Sequence, residues 1–377
     1  MGHVKDLRKR TTGYTGDQPY WARYRDAGGK EHGRTFRTKR EAEQWLAEQS
    51  VAKARGEWVD PMAGKITFRA FAETWRQMQV HRPGTVAQVE SHLRNHVYPA
   101  IGDRSLASIR PIHIQVLVKG MSGTLAPSTV ETVYRHVSSV FKAATRDRLI
   151  PRTPCEDIRL PKIEHDEKVI PLELAQVEAV ADEMTERWQA SVWVGAGTGL
   201  RQGEVFGLTV DRIDFLRRAI TVDRQMVTVS NRAPAFGPPK TKASFRTVPL
   251  PDSVAFVLAE HLRQFPAGDD SLVFTIPDGG PVRRQRIGEA WRRAAKAAGI
   301  ADGIGFHATR HFYASLLIQS GASVKVVQKR LGHASAIETL DTYGHLWPDT
   351  EDETRSAVDK AFATLTGQRR DVLAGEG

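Results

Sequence analysis

Cysteine is almost missing from this chain. Cys155 is the only thiol in 377 residues, which excludes an internal disulfide and a cysteine-cluster zinc site and fits a reducing compartment. Long apolar runs are missing too. None would span a bilayer, and the basic start Met1–Arg10 leads into no apolar stretch, so neither a membrane anchor nor a signal peptide is expected. No segment repeats. A zincin motif is also lacking: His307 and His311 stand four apart, but Ala308 occupies the position where that motif needs glutamate, so no metal is expected. With 40% hydrophobic and 26% charged residues the composition is that of a soluble globular protein, and a cytoplasmic setting is expected.

What the chain does have is positive charge. A net charge of +10 and a pI near 9.7 favour a polyanionic partner, nucleic acid first. Much of the excess lies at the start, where the first forty residues hold eleven Lys and Arg against four acids. Tyr20-Trp21-Ala22-Arg23-Tyr24-Arg25 alternates as a strand, Asp26–Lys30 turns, and Lys30–Phe36 returns. Thr38 caps a helix running from Lys39 to about Arg55, with Glu41 as its capping-box partner. A small sheet packed on one helix is expected over residues 1–58. Arg23, Arg25, Arg34 and Arg37 are its candidate contacts to a DNA groove.

The length implies two or three domains. Gly56–Lys65 reads as a linker. An all-helical module follows over residues 66–160. Its first helix carries Phe68, Phe71 and Trp75 on one face, and its second, Thr85–His96, is expected to break at Pro99–Gly102. Its third opens at Arg110-Pro111, with Ile114, Leu117 and Val118 inward. Its fourth turns Val130, Val133, Val137, Val140 and Phe141 inward and Arg135, His136 and Lys142 outward. Arg135 and Lys142 are candidate phosphate contacts. Pro151, Pro154 and Pro161 mark a second linker. Residues 168–365 mix elements: helices over Leu172–Met184, Arg187–Ala196, Gln202–Leu208, Asp252–Gln264, Gln285–Ala298, Ala308–Gln319, Val324–Arg330 and Ser335–Tyr343. Strands are expected over Val210–Asp214, Ala219–Val229 and Arg246–Leu250, with Asn231–Pro239 a loop. A polar, frayed tail, 366–377, closes the chain. The fold class is therefore multidomain and mainly α with small β-sheets (α+β).

Six polar residues in this last region carry chemistry. Arg201 follows Thr198-Gly199-Leu200 at a helix start, where amides face anions. Its guanidinium offers a planar fork to two phosphate oxygens, with Glu204 one turn on to hold it. Arg310 is a second fork, and His307, three residues earlier on the same side of a helix, can move a proton near neutral pH. His333 follows a glycine that closes a helix. Tyr343, ten residues later, has a phenol whose ordinary pKa near 10 requires cations and a base for it to act as a nucleophile. Lys240 and Lys242, in Pro239-Lys240-Thr241-Lys242, each offer an ammonium able to protonate a leaving oxygen.

Taken in order, T-G-L-R-Q-G-E, P-K-T-K, H-A-T-R-H, L-G-H and D-T-Y-G-H over residues 198–345 resemble the tyrosine recombinases, the phage integrase family. The resemblance implies a tyrosine recombinase-type catalytic domain at 168–365 in which Tyr343 attacks a DNA phosphodiester and Lys240, whose Lys240-Thr241 matches the family's motif, protonates the leaving 5′ oxygen, with Lys242 the alternative. A 3′-phosphotyrosyl link would form, and strands would then exchange through a four-way junction with neither nucleotide nor metal cofactor. It also implies a core-binding role for 66–160 and an arm-binding role for 1–58, as in lambda-type integrases. The expected partners are double-stranded core and arm attachment sites bound by a homotetramer, with an excisionase and a host DNA-bending protein as further candidates, at the nucleoid of a bacterial host. The spacing from His333 to Tyr343 is one residue longer than in many relatives, which implies a slightly different loop before the tyrosine. Three other readings stand beside this one: a Xer-like dimer resolvase, a catalytically inactive DNA-binding regulator and a type IB topoisomerase. The basic N-terminal module argues against the first, the intact set of six against the second, and a topoisomerase would relax supercoils without a partner site.

Overall fold

In a computed structural model the protein divides into two compact units, Met1–Ile163 and Glu164–Gly377. The structure describes residues 2–9, 14–26, 28–54, 58, 60, 62–163, 169–228, 233–347, 351 and 354–363. Among the described residues no helix is long and apolar enough to cross a membrane. The tail 366–377 lies outside them.

The first unit opens with an antiparallel sheet of β1 (His3–Asp6), β2 (Tyr20–Arg25) and β3 (Glu31–Phe36), in that order. The alternation in β2 turns Ala22 and Tyr24 onto helix α1 (Lys39–Ala54), where Tyr24 meets Trp45 at 5.3 Å between ring centroids. The expected capping box is present: Glu41 N donates to Thr38 Oγ1 and Thr38 N donates to Glu41 Oε2, both at 3.2 Å. Strand β1 was not expected; it pairs Lys5 with Trp21 and His3 with Arg23. Residues directly opposite on paired strands share a face. Lys5, Trp21, Arg23 and Arg25 therefore line the face turned away from α1. Arg34 does not join them, because it pairs with Ala22 and so belongs to the helix-facing side, exposed at its margin. Arg37 is exposed just past β3. Trp58 Nε1 donates to the Tyr24 hydroxyl at 2.7 Å and Lys30 pairs with Asp60 at 2.9 Å, so the sheet module extends past residue 58.

Four helices follow: α2 (Phe68–Met78), α3 (Pro83–His92), α4 (Pro111–Ser122) and α5 (Pro127–Arg146). They enclose an apolar core in which Phe68 and Phe141, both fully buried, meet at 5.1 Å. The expected break at Pro99 does not occur. Helix α3 runs on through Leu93–Gly102 as a widened, π-type helix with Pro99 inside it. The wider turn relieves the clash of the proline ring with the carbonyl four residues back, while Pro99 still donates no hydrogen bond. Cys155 packs against this core, and burial pushes its thiol up to about 12, so it serves as an inert filler.

Arg135 and Lys142 are exposed on α5 as expected, but His136 is not outward. It packs on His92 at 5.5 Å, and His92 Nδ1 and His136 Nε2 are buried without a hydrogen-bond partner. Burial first, then the charges of His92, Arg135 and His81, lowers the His136 pKa to about 4. A histidine whose folded pKa lies below its unfolded value holds fewer protons in the native state, so stability falls as pH drops between about 6.5 and 4. His136→Leu is expected to reduce the loss of melting temperature between about pH 7 and 5, measured by thermal unfolding of the whole chain; an unchanged slope would count against this account.

In the second unit, α6 (Leu174–Glu183), α7 (Glu186–Thr198), α9 (Asp252–Gln264), α10 (Arg284–Ala297) and α11 (Ala308–Gln319) surround one large core. The short α8 (Gln202–Val205) leads into a sheet ordered β4 (Ile213–Asp214), β5 (Ala219–Val222), β8 (Arg246–Pro249). The expected long strand through Val229 is interrupted. Strand β6 (Gln225–Val227) pairs instead with β7 (Ala235–Gly237), inside the stretch expected to be a loop. Residues 229–232 lie outside the described residues. Helices α12 (Val324–Leu331) and α13 (Ala336–Tyr343) pack with α11 around a smaller apolar cluster that includes Tyr313, Leu331 and Tyr343.

Candidate active site

The site is organised by the C-terminal end of α12. Gly332 caps this helix in the left-handed conformation, φ 69°, and a Cβ there would stand 2.9 Å from the Ala243 carbonyl, so both the angle and the close approach require glycine. The last carbonyls of a helix have no partner within it and carry the negative end of its dipole. Here three consecutive ones are taken by arginines. Arg246 Nε donates to Arg330 O at 2.8 Å, Arg310 to Leu331 O at 2.7 Å and Arg201 to Gly332 O at 3.3 Å. Arg310 also donates to the carbonyl of Gly199, the left-handed cap of α7, at 2.7 Å. Its side chain is 1% exposed, and two helix-end carbonyls offset the cost of burying that charge.

One carboxylate serves this group. Glu204, also buried, takes two hydrogen bonds from Arg246, at 3.1 and 2.9 Å, and one from Arg201 at 3.2 Å. Its other contact is the Arg201 amide at 2.8 Å. Burial alone would raise the Glu204 pKa, but the bonds and charge of Arg246, with help from Arg201, hold it below the usual carboxylate range. The expectation that helix amides would receive an anion at Arg201 is thus corrected: α8 is one turn long, and Glu204 already occupies the amide. Three guanidiniums against one carboxylate leave a net positive pocket, which suits a phosphate.

Tyr343, at the end of α13, is 1% exposed. Its hydroxyl hydrogen-bonds to His311 Nδ1 at 2.9 Å, and its ring lies parallel to that of His333 at 6.4 Å. His333 is fixed by Thr339 Oγ1 at 2.8 Å from its Nδ1. His307 begins α11 with an exposed edge, its ring perpendicular to that of His311 at 4.8 Å. Burial first, then Arg310 and Arg201, pushes His333 down to about 3, and burial with Arg310 lowers His311 to about 4. His307 is lowered as well, by burial first and then by His311 and Arg310. Tyr343 is raised to about 12 by burial, partly offset by Arg310 and Arg201. At neutral pH the imidazoles are therefore uncharged and the phenol protonated.

Arg201, Glu204, His307, Arg310, His333 and Tyr343 thus come together. Lys240 and Lys242 are exposed on the adjoining turn, which is tied to the site through Ser244: its Oγ bonds Thr241 Oγ1 at 3.0 Å and accepts from Arg201 at 3.3 Å. The candidate contacts Arg23, Arg25, Arg34, Arg37, Arg135 and Lys142 all belong to the first unit. Among the described residues no group of three or more His, Cys, Asp or Glu is arranged to hold a metal ion. Two site residues went unrecognised in the sequence. Arg246 shares the inward side of its strand with buried Val248 and Leu250; a charge at such a position requires a buried partner, and that signal was legible. His311 stood out only as half of a metal pair. Glu204→Ala would leave Arg246 buried without its carboxylate, and is expected to cost about 3–5 kcal/mol of stability in the second unit, read by urea unfolding; a loss below about 1 kcal/mol would contradict the pairing.

The comparisons agree with this geometry. Residues 167–349 match the sequence profile of the phage integrase family, and residues 68–160 match that of the phage integrase central domain. The integrase of Mycobacterium phage D29 is 26% identical over 320 residues, covering 80% of this chain and 83% of that protein. Two solved structures share the fold. The Tn1549 transposon integrase in complex with a circular intermediate DNA aligns with a TM-score of 0.68 at 21% identity, covering 78% of this chain and 99% of the other. A lambda integrase tetramer bound to a Holliday junction aligns with a TM-score of 0.57 at 18% identity, covering 88% and 96%. Motifs, site and both family profiles lead to one conclusion: the chain belongs to the phage integrase family of tyrosine recombinases and is a site-specific recombinase.

Proposed function

We propose that this recombinase integrates and excises a phage or related element by cutting DNA with Tyr343. The observation that carries the proposal is the buried phenol standing beside a pocket with three guanidiniums and one carboxylate. Arg201 and Arg310 hold the non-bridging oxygens of the scissile phosphate, and Arg246 with Glu204 fixes Arg201. Tyr343 attacks phosphorus, forming the 3′-phosphotyrosyl link. Lys240, or else Lys242, protonates the departing 5′ oxygen. His307 and His333 donate hydrogen bonds as charge builds on the phosphate. The 5′-hydroxyl of a second duplex reverses the step, and two such rounds pass through a four-way junction.

Double-stranded DNA is the partner this chemistry requires, and a tetramer supplies the four active sites that two duplexes need. The tetramer reading is supported by the relative solved on a Holliday junction. The helices at 66–160 hold the core site, with Arg135 and Lys142 on phosphates. The sheet module holds arm sites through the face that carries Lys5, Trp21, Arg23 and Arg25, while Arg34 and Arg37 flank it. Work at the host nucleoid, with an excisionase and a DNA-bending protein, completes the proposal.

On a nicked duplex carrying the core site, the wild-type chain is expected to form a covalent adduct at Tyr343 in the presence of EDTA. Tyr343→Phe should bind equally well and form none; an adduct from that variant would remove Tyr343 from its role. Deleting residues 1–60 is expected to leave core-site affinity within a few-fold while abolishing complexes that bridge core and arm DNA, seen by gel shift. Bridging that survives the deletion would refute the arm-binding role.

A further inference from the structure

Among the described residues, the side-chain hydrogen bond at the Tyr343 hydroxyl is made with His311, not with His307. His311 lies on α11 one turn beyond His307 and next to Arg310, and its ring is 5.6 Å from that of Tyr343. We propose that His311 is the general base that takes the Tyr343 proton during strand cleavage and returns it during rejoining. This rests on Tyr343 being the nucleophile, as proposed above.

The geometry is that of a base already in place. A neutral imidazole with its proton on Nε2 presents Nδ1 as an acceptor; in that tautomer the phenol donates to it across the 2.9 Å between them, within the reach required of a catalytic base. The groups around this ring keep it unprotonated. Arg310 and His307 stand on its own helix, His333 follows α12, and Tyr343 itself comes from α13. Burial and the Arg310 charge both oppose a second proton on the ring in the free chain. An incoming phosphodiester supplies the negative charge that makes the imidazolium tolerable, so the base gains strength when the substrate arrives. His307, with its exposed edge, is left to face the phosphate.

The step balances. As Tyr343 Oη bonds to phosphorus, its proton passes to His311 Nδ1; the bond from phosphorus to the 5′ oxygen breaks, and that oxygen takes a proton from the lysine. On rejoining, the incoming 5′-hydroxyl bonds to phosphorus and returns its proton to the lysine. The bond from phosphorus to Oη breaks, and the phenolate recovers its proton from His311.

The test uses the full chain on the nicked duplex, under single-turnover conditions, from about pH 5.5 to 9.5, with DNA affinity and melting temperature measured beside the rate. His311→Asn is expected to slow adduct formation roughly 10²–10⁴-fold near neutral pH. Its rate should then climb with hydroxide across the range, while affinity stays near wild type. His311→Ala should regain rate when imidazole is added, which a merely structural residue would not allow. A rate within about threefold of wild type with the same pH profile overturns the proposal. So does a loss of DNA binding in both His311→Asn and the bulkier His311→Gln, which would make the residue structural. Tyr343→Phe separates the two ideas: if it still forms an adduct, the nucleophile assignment fails first. If it is dead while His311→Asn is fast, only the base assignment fails.

Discussion

Three guanidiniums bonded to three successive carbonyls at one helix end are the interaction on which the rest of this site depends. Each arginine comes from a different element: β8, α11 and the start of α8. The end of α12 is therefore where the sheet, the large core and the tyrosine-bearing helix meet. The arrangement solves a physical difficulty. Buried cations are costly unless paired, yet pairing each with a carboxylate would cancel the field an anion needs. Carbonyl dipoles satisfy the N–H groups without removing the charge, and Glu204 is the carboxylate paired with Arg201 and Arg246.

The protonation states follow from burial first and from that field second. Positive charge and burial keep His311 and His333 neutral, and burial keeps the Tyr343 phenol protonated despite the two arginines. Glu204 behaves in the opposite sense: its lowered pKa contributes stability above the ordinary carboxylate range and loses it as acid protonates the group. An acidified chain would lose the carboxylate that pairs Arg246 while also gaining charge on the imidazoles. These two changes act against the same helix end.

Much of this was legible in the sequence. Period-two alternation marked Tyr20–Arg25 as a strand, Thr38 and Glu41 formed their capping box, and the glycine before His333 closed its helix as read. The misses have physical causes. Pro99 was taken as a stop because its ring clashes with the preceding turn of an α-helix, but the helix widens to a π-type turn there and runs on. Arg34 was grouped with Arg23 because charge patterns do not reveal register; pairing with Ala22 turns it to the other face. His136 was assigned to a polar face, yet its neighbour His92 comes from α3, a contact invisible in the local pattern. Likewise the partner of Arg246 lies 42 positions away in sequence. Elements declare themselves locally, whereas buried polar pairs are settled by tertiary packing.

Tyr343 is also a packing residue, sharing an apolar cluster with Tyr313, Ile318, Val327 and Leu331. A net charge of +10 attracts duplex DNA of any sequence. In the role proposed for it, a phenol shielded as tightly as a core leucine cannot nick unrelated duplex through chance collisions. Fidelity in this chain thus begins before any base is read, in the ordinary oil of three packed helices.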